Sequence, residues 1–272
     1  MKNGNDGAQG HGYHSHALSR GLAIIQAVAQ TEDVATLAEL HETTGLPKST
    51  LVRLLSVLED EDYLIKVDER PAYRLGHAIL PIAASYMSSA SVADLLRPHL
   101  RPLAQETGWT ANFGILDGLD VVHLCVEFPN RPIHYNTTEG SSSEAYCTGL
   151  GKAVFLELSE EAIRRSLPPE PFARRTANTL TTWDELAADL ELSRARGYAV
   201  DAEEADAGLR CVSVPVVSNG QVLGAVSVSG PAGEGDPETE RRFVALLLEA
   251  RDRIARESGL RGALGIGASP AA

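Results

Sequence analysis

Leu46-Pro47-Lys48-Ser49-Thr50-Leu51-Val52-Arg53-Leu54-Leu55 carries the pattern of an amphipathic helix near the N-terminus of this 272-residue chain. Leu51, Leu54, Leu55 and Leu58 recur at i, i+3, i+4, i+7 spacing, so one apolar stripe of a helix turns toward a core. At about 100° per residue, Ser49, Arg53 and Ser56 fall on the opposite face, with Thr50 and Val57 on its flank. Pro47 suits the first helical turn, where a missing N–H is no loss. A second helical pattern, Leu37 to Glu42, precedes this one, and Thr43-Thr44-Gly45 makes a short turn between them. Two helices, a tight turn and a donor-rich outer face are a helix-turn-helix arrangement.

Working outward, the helix runs into Glu59-Asp60-Glu61-Asp62. Two short strand patterns come next, Tyr63 to Val67 and Tyr73 to Leu75, and a hairpin behind a recognition helix is a wing. Ahead of the motif, Leu18, Leu22, Ile25 and Ala29 form one face of a helix that closes a three-helix core. Each helix alone would fit any α-rich domain. Helix, helix, turn, helix and wing in unbroken order point to double-stranded DNA as a partner. Ser49, Thr50 and Arg53 are then expected at base edges and Lys48 at a phosphate. Arg74 in the wing and Arg20 ahead of the first helix are expected at the backbone or minor groove. One such helix covers too few base pairs for a unique site, so a two-fold dimer is expected. The segment His77 to Met87, apolar at Ala78, Ile79, Ile82, Ala83 and Tyr86, is a linker helix and a candidate dimer seam. Packing on its own winged helix is the competing reading.

The formal net charge of −13 argues against indiscriminate nucleic-acid binding. Between Arg20 and Gly76, six basic residues face ten acidic ones. The cations map to the recognition helix, the wing and the start of the first helix, so the local field there counts for more than the sum. Hydrophobic residues make up 43%, with no apolar run long enough for a membrane span. The polar, Gly/His-rich segment Met1 to His16 has no signal-peptide pattern. Cys125, Cys147 and Cys211, odd in number and far apart, fit a reduced cytoplasmic protein. His11, His14 and His16 read as a tail rather than a metal site, because no cysteine or carboxylate cluster completes one. No metal and no cofactor is expected.

From His77 to about Gln105 the pattern is helical, interrupted near Ser88-Ser89-Ala90-Ser91. Then the period changes. Trp109 to Leu116, Val121 to Val126 and Ile133 to Asn136 read as strands, followed by helices near Gly149 to Leu156 and Trp183 to Arg196. Cys211 to Val217 and Val222 to Ser229 flank the hairpin turn Ser218-Asn219-Gly220-Gln221, and Phe243 to Ile254 is a closing helix. An antiparallel sheet with helices against it makes the whole chain α+β. Ser227 and Ser229 alternate with Val226 and Val228, so their hydroxyls share one sheet face. Gly149-Leu150-Gly151 opens a helix whose amides would suit an anion. Asp201 and Cys211 lie in the segment approaching one central strand, and Lys152 and Arg210 are read as solvated.

These motifs together resemble the IclR family of bacterial transcriptional regulators from about Leu18 to Leu260. The resemblance runs through Ser19-Arg20-Gly21-Leu22, Gly45-Leu46-Pro47-Lys48-Ser49-Thr50 and Tyr73-Arg74-Leu75-Gly76. It continues through Gly149-Leu150-Gly151-Lys152-Ala153, Arg196-Gly197-Tyr198, Gly208-Leu209-Arg210-Cys211 and Ser227-Val228-Ser229-Gly230-Pro231. It implies a ligand-responsive regulator of a catabolic operon, a repressor released by a small organic acid or else an activator. It implies a GAF-like effector-binding domain, a dimer or tetramer, and an effector pocket at Gly149, Leu150, Asp201, Cys211, Ser227 and Ser229. Asp201 would accept a hydrogen bond from a ligand hydroxyl, which favours a hydroxylated aromatic acid or hydroxy acid. Two departures are Asp62, where the family usually has glycine, and Cys147 after the polar segment from Glu139, which leaves the ligand open.

The expected boundaries are a disordered tail over 1–15, the winged helix-turn-helix over 16–77, a linker helix over 78–91, the effector domain over 92–260 and a second tail over 261–272. An enzyme is the reading from another class. His123, Cys125, Cys147 and Asp201 supply a thiol, a base and an orienter, with His123 and Cys125 taken to point the same way on one strand. No elbow, metal box or phosphate loop supports it, so no catalytic residue is assigned.

Overall fold

Turns and caps set the first unit's geometry. The computed structural model describes residues 15–31, 33–67, 71–88, 92–132 and 134–265, and the chain divides into two units, Met1–Ser89 and Ala90–Ala272. The tail to His14, the wing turn 68–70, the Tyr86 side chain, the break at 89–91 and residues 266–272 lie outside the described residues.

The first unit runs α1 (His16–Ala29), β1 (Ala35–Thr36), α2 (Leu37–Thr44), α3 (Lys48–Asp60), β2 (Leu64–Lys66), β3 (Ala72–Leu75) and α4 (Ile79–Ser88). Thr36 caps α2 in a reciprocal box: Glu39 accepts from the Thr36 amide at 2.7 Å, and the Thr36 hydroxyl accepts from the Glu39 amide at 3.3 Å. Gly45, at φ 66°, ends α2 in the left-handed conformation and aims the chain into α3. Asp62 takes the left-handed position after α3 at φ 60°, doing with a short polar side chain what glycine does elsewhere. Ile24, Ala27, Val28, Leu40, Leu51, Leu55, Leu64 and Tyr73 form the core.

Two expectations are corrected here. The buried face of α1 is Ile24, Ala27 and Val28, whereas Leu18 is 63% and Leu22 52% exposed. The helix carries two apolar stripes about 100° apart, and the periodicity fits either; the core takes the second. The wing is also three-stranded, in the order β1-β3-β2, with Ala35 opposite Tyr73. A two-residue strand is too short to show alternation in sequence.

The second unit runs α5 (Val92–Thr107), β4 (Thr110–Asp117), β5 (Asp120–Glu127), β6 (Ser142–Glu144), α6 (Gly149–Phe155), α7 (Glu160–Arg165), α8 (Trp183–Arg196), β7 (Ala199–Ala202), β8 (Leu209–Ser218), β9 (Gln221–Pro231), α9 (Pro237–Ile254) and α10 (Leu260–Ala263). Its six strands pair antiparallel in the order β6-β5-β4-β9-β8-β7. α5 and α9 cover one face over an apolar cluster that includes Leu96, Leu100, Phe113, Val214, Val228, Phe243 and Leu247. α6 and α8 contribute to a second cluster with Tyr146, Phe155, Leu186 and Leu190. The Asn219-Gly220 hairpin closes with both residues at positive φ, 51° and 71°, matching the strand twist.

The strand expected over Ile133–Asn136 does not form at 134–136, and Ile133 is outside the described residues. Its place at the sheet edge goes to β6, inside the polar segment, where a strand paired on one side keeps its other side wet. Tyr135 instead supplies a carbonyl to the Thr110 hydroxyl at 2.7 Å. The segment expected to be a tail from residue 261 begins inside α10, which Leu260, fully buried, anchors to the core.

Candidate functional site

On α3 the outer face is as the helical spacing predicts: Lys48, Ser49, Arg53 and Ser56 are exposed and Thr50 half-buried. Val52, 54% exposed, flanks Ser56 on this face and adds an apolar contact that the pattern of donor residues did not single out. Arg74 is exposed on β3, the central strand of the wing sheet. Arg20 is exposed too, but it lies inside α1 rather than ahead of it, because the helix starts at His16. Among the described residues, Lys48, Arg53, Arg74 and Arg20 form no ion pair, so their charge faces solvent uncompensated.

In the second unit, Gly149, Leu150, Asp201, Cys211, Ser227 and Ser229 all line one cavity, joined by His123, Tyr135, Glu144, Thr148 and Arg175. Its volume is about 70 Å³, a tight polar cavity smaller than most small-molecule sites, so an effector has to move the wall side chains as it enters. The sheet register explains the meeting. Asp201 faces Cys211, Cys211 faces Ser229 and Ser229 faces Thr110, one row across four strands; Ser213, Ser227 and Asn112 form the next. Asp201 stands on the edge strand β7, directly beside Cys211 on the interior strand β8. Gly149 sits where any Cβ would come within 2.7 Å of the Ser213 hydroxyl and 3.0 Å of Cys211 Cβ, so only glycine lets α6 approach the sheet. α6 is two turns long and is capped by Thr148, whose hydroxyl accepts from the Gly151 amide at 3.3 Å.

The polar groups of the cavity wall are fixed by their partners. Asn112 donates through Nδ2 to the Thr110 carbonyl at 3.2 Å, to Ser229 Oγ at 3.3 Å and to Ser227 Oγ at 3.5 Å. A carbonyl only accepts, so this bond sets the amide orientation and uses one of the two Nδ2 protons, leaving the other for the two serine oxygens, while the Ser229 hydroxyl also meets the Cys211 sulfur. Asp201, fully buried, accepts through Oδ1 from the amides of Glu204 at 2.7 Å and Ala205 at 3.4 Å, while Oδ2 meets no N–H or O–H donor. Burial raises its pKa to about 7, against the opposing pull of those amides and of Lys152. Burial pushes His123 down to about 4, so its ring is neutral, and its Nδ1 is unpartnered. At the mouth Arg175 approaches Glu144 at 3.6 Å, and the Tyr135 hydroxyl donates to Asp206 at 3.1 Å.

Lys152 and Arg210 are not solvated. Lys152 is fully buried and its ammonium meets Glu204 at 2.5 Å and Asp189 at 3.0 Å; the fourth residue of a Gly-rich helix opening gives no sign in sequence that it points inward. Arg210 pairs with Glu240 of α9. Spacing could have found Asn112, since Thr110 and Asn112 alternate with Ala111 and Phe113 just as the two serines do. Arg175 and Tyr135 come from loops and carried no such signal.

The thiol chemistry dissolves on inspection. A bulge in the pairing puts Cys125 opposite Phe113 but His123 opposite Gly114, so the two side chains leave β5 on opposite faces. Cys125 donates to the Ala93 carbonyl at 3.7 Å and Cys147 to the Glu144 carbonyl at 3.7 Å. Burial pushes both thiols up to about 12, the wrong direction for a nucleophile.

Comparison with known proteins agrees with this geometry. Residues 17–68 match the IclR helix-turn-helix domain and residues 84–256 the C-terminal domain described as bacterial transcriptional regulator IclR. The HTH-type transcriptional repressor AllR of Escherichia coli is 30% identical, the alignment covering 94% of this chain and 93% of the relative. The Pca regulon regulatory protein of Pseudomonas putida is 30% identical over 86% of this chain and 81% of its own length. The crystal structure of a putative transcriptional regulator from Rhodococcus sp. RHA1, 28% identical, superposes with a TM-score of 0.69 over 90% of this chain and 98% of its own.

Proposed function

This chain belongs to the IclR family of bacterial transcriptional regulators, and from that premise we propose that it represses a catabolic operon and is released by a small organic acid bound in the second unit. Activation of the same kind of operon is the runner-up. DNA reading falls to Ser49, Thr50 and Arg53 on α3, with Lys48 on a phosphate and Arg74 and Arg20 on backbone or minor groove. The effector occupies the cavity bounded by Gly149, Leu150, Asp201, Cys211, Ser227 and Ser229. The observation that carries the reading is the convergence of these six, drawn from three strands and the α6 start, on one partly open cavity with unpartnered polar atoms.

An effector releases the operator only by binding the two states unequally, since equal affinity shifts nothing. The experiment is an electrophoretic shift with the DNA upstream of this chain's own gene, repeated with small carboxylates. A specific complex that a carboxylate dissolves supports repression; a complex formed only in its presence supports activation; no complex at any salt concentration overturns the proposal.

The regulator acts as a two-fold dimer on a pseudo-palindrome. Leu80, 68% exposed, and Ile82, 54% exposed, on α4 support that helix as a seam rather than a helix packed on its own winged domain. A second apolar strip on the same unit, Leu18, Leu22, Ile25, Leu54 and Val57, is a further surface for a partner copy. A monomeric mass by light scattering at micromolar concentration would refute the dimer.

A further inference from the structure

The buried charges around Asp201 do not balance. Lys152 is the buried cation behind the cavity, and Glu204 and Asp189 already hold it at 2.5 and 3.0 Å. Two carboxylates on one ammonium leave that cluster with a negative sum before Asp201 is counted. Asp201 lines the cavity; its Oδ1 is occupied by two amides, whereas its Oδ2 is fully buried and meets no N–H or O–H donor. The neighbouring Cys211 thiol is a weak donor, too weak to hold an ionised carboxylate there.

The facing wall offers donors. Asn112 donates toward both Ser227 and Ser229, so both hydroxyls can donate in turn, the Ser229 proton in competition with the Cys211 sulfur. A ligand fitting two hydroxyl donors presents acceptor oxygens, and a carboxylate is the strongest such group. It would meet Asp201 in the same row of the sheet, since Ser229 pairs with Cys211 and Cys211 with Asp201. Two carboxylates can share that row only with a proton between them.

We infer that Asp201 serves as a neutral hydrogen-bond donor to the effector's carboxylate, so that binding above neutral pH takes up one proton from solvent onto Asp201 Oδ2. This rests on the proposed effector cavity and reverses the acceptor role expected from sequence. The groups facing Asp201 are Glu204 and Asp206 of the following loop, Lys152 of α6, Asp189 of α8, Cys211 of β8, Cys147, and Tyr135 across the cavity. His123, Glu144 and Arg175 line the remaining wall. His123 titrates near 4 and Cys147 near 12, outside the working window, and burial raises Glu204 as well, which makes it the rival carrier of the proton.

The test is calorimetry on the full-length protein with 4-hydroxybenzoate, benzoate and pyruvate as carboxylate probes and 4-hydroxybenzamide as a neutral isostere, each in two buffers of different ionisation enthalpy. For a carboxylate that binds, the affinity should weaken by about 30-fold between pH 6 and pH 8.5, with about one proton taken up at the upper pH. The amide, which can either accept or donate, should bind with little pH dependence. In Asp201→Asn, which keeps a donor and loses the titration, carboxylate binding should become flat over this range. Carboxylate binding without proton uptake overturns the inference and leaves the effector cavity standing. Uptake that persists in Asp201→Asn assigns the proton to Glu204 and also overturns it. Binding of the amide alone removes the anion, and binding of no probe removes the organic-acid reading together with the inference. If Asp201→Asn does not fold, the wild-type contrast between acid and amide decides the question.

Discussion

The two surfaces proposed for recognition, the outer face of α3 and the cavity of the second unit, are built on opposite principles. On α3 the working side chains stand in water, carry no partner among the described residues and sit across the helix from Leu51 and Leu55, which hold the core. In the cavity the working side chains are themselves buried and hydrogen-bonded, and several leave polar atoms unsatisfied. Function and stability are separable on the first surface and entangled in the second. A substitution on α3 should change affinity without touching the fold; one behind the cavity should change both.

The largest effect should come from the entangled side. Lys152→Met removes the one ammonium between Glu204 and Asp189 and leaves the Glu204 carboxylate buried and the half-buried Asp189 without its cation, which should cost about 3 kcal/mol by chemical denaturation. A loss below 1 kcal/mol would mean that the cluster relaxes into solvent and that the contrast between the surfaces is weaker than drawn. On the separable side, Arg53→Ala should leave the denaturation midpoint unchanged and cost about 1–3 kcal/mol of operator affinity. Neutralising Arg74 or Arg20 should flatten the salt dependence of binding without changing sequence preference.

The pH dependence of stability sharpens the same contrast. Asp201 titrates near 7 in the folded chain against 3.8 as its ordinary value, so its contribution is fully present below about pH 4 and is lost as pH rises through about 7. Asp201→Asn should therefore gain stability relative to wild type between pH 5 and pH 8. A constant difference across that range would place the carboxyl in ordinary solvent. The smallest effect is again at the surface: Thr36→Ala opens the capping box of α2 and should cost about 1 kcal/mol.

How much of each surface was legible in the sequence follows from the same difference. Helical period exposes Ser49 and Arg53 because a surface helix shows its two faces directly, yet it misassigned α1, where Leu18 and Ile24 begin rival stripes. Alternation placed Ser227 and Ser229 on one sheet face and could have added Asn112. It could not foresee the bulge that separates His123 from Cys125, nor strand order, which puts Asp201 on an edge strand beside Cys211. Lys152 reads as solvated by residue type; only the Glu204 turn and α8 closing over it make it internal. Loop residues Tyr135 and Arg175 had no periodicity to read. The family motifs supplied the six cavity positions, and the register explains physically why they meet.

The central claim, that α3 reads DNA while the second unit's cavity reads a ligand, is tested most directly by fluorescence anisotropy. The probe is DNA from upstream of this chain's own gene, with wild type, Arg53→Ala and Asp201→Asn compared ligand-free at one salt concentration. The account predicts that Arg53→Ala weakens binding about tenfold or more while Asp201→Asn binds as wild type does. Wild-type affinity in a folded Arg53→Ala protein, or loss of ligand-free binding in a folded Asp201→Asn protein, would contradict it.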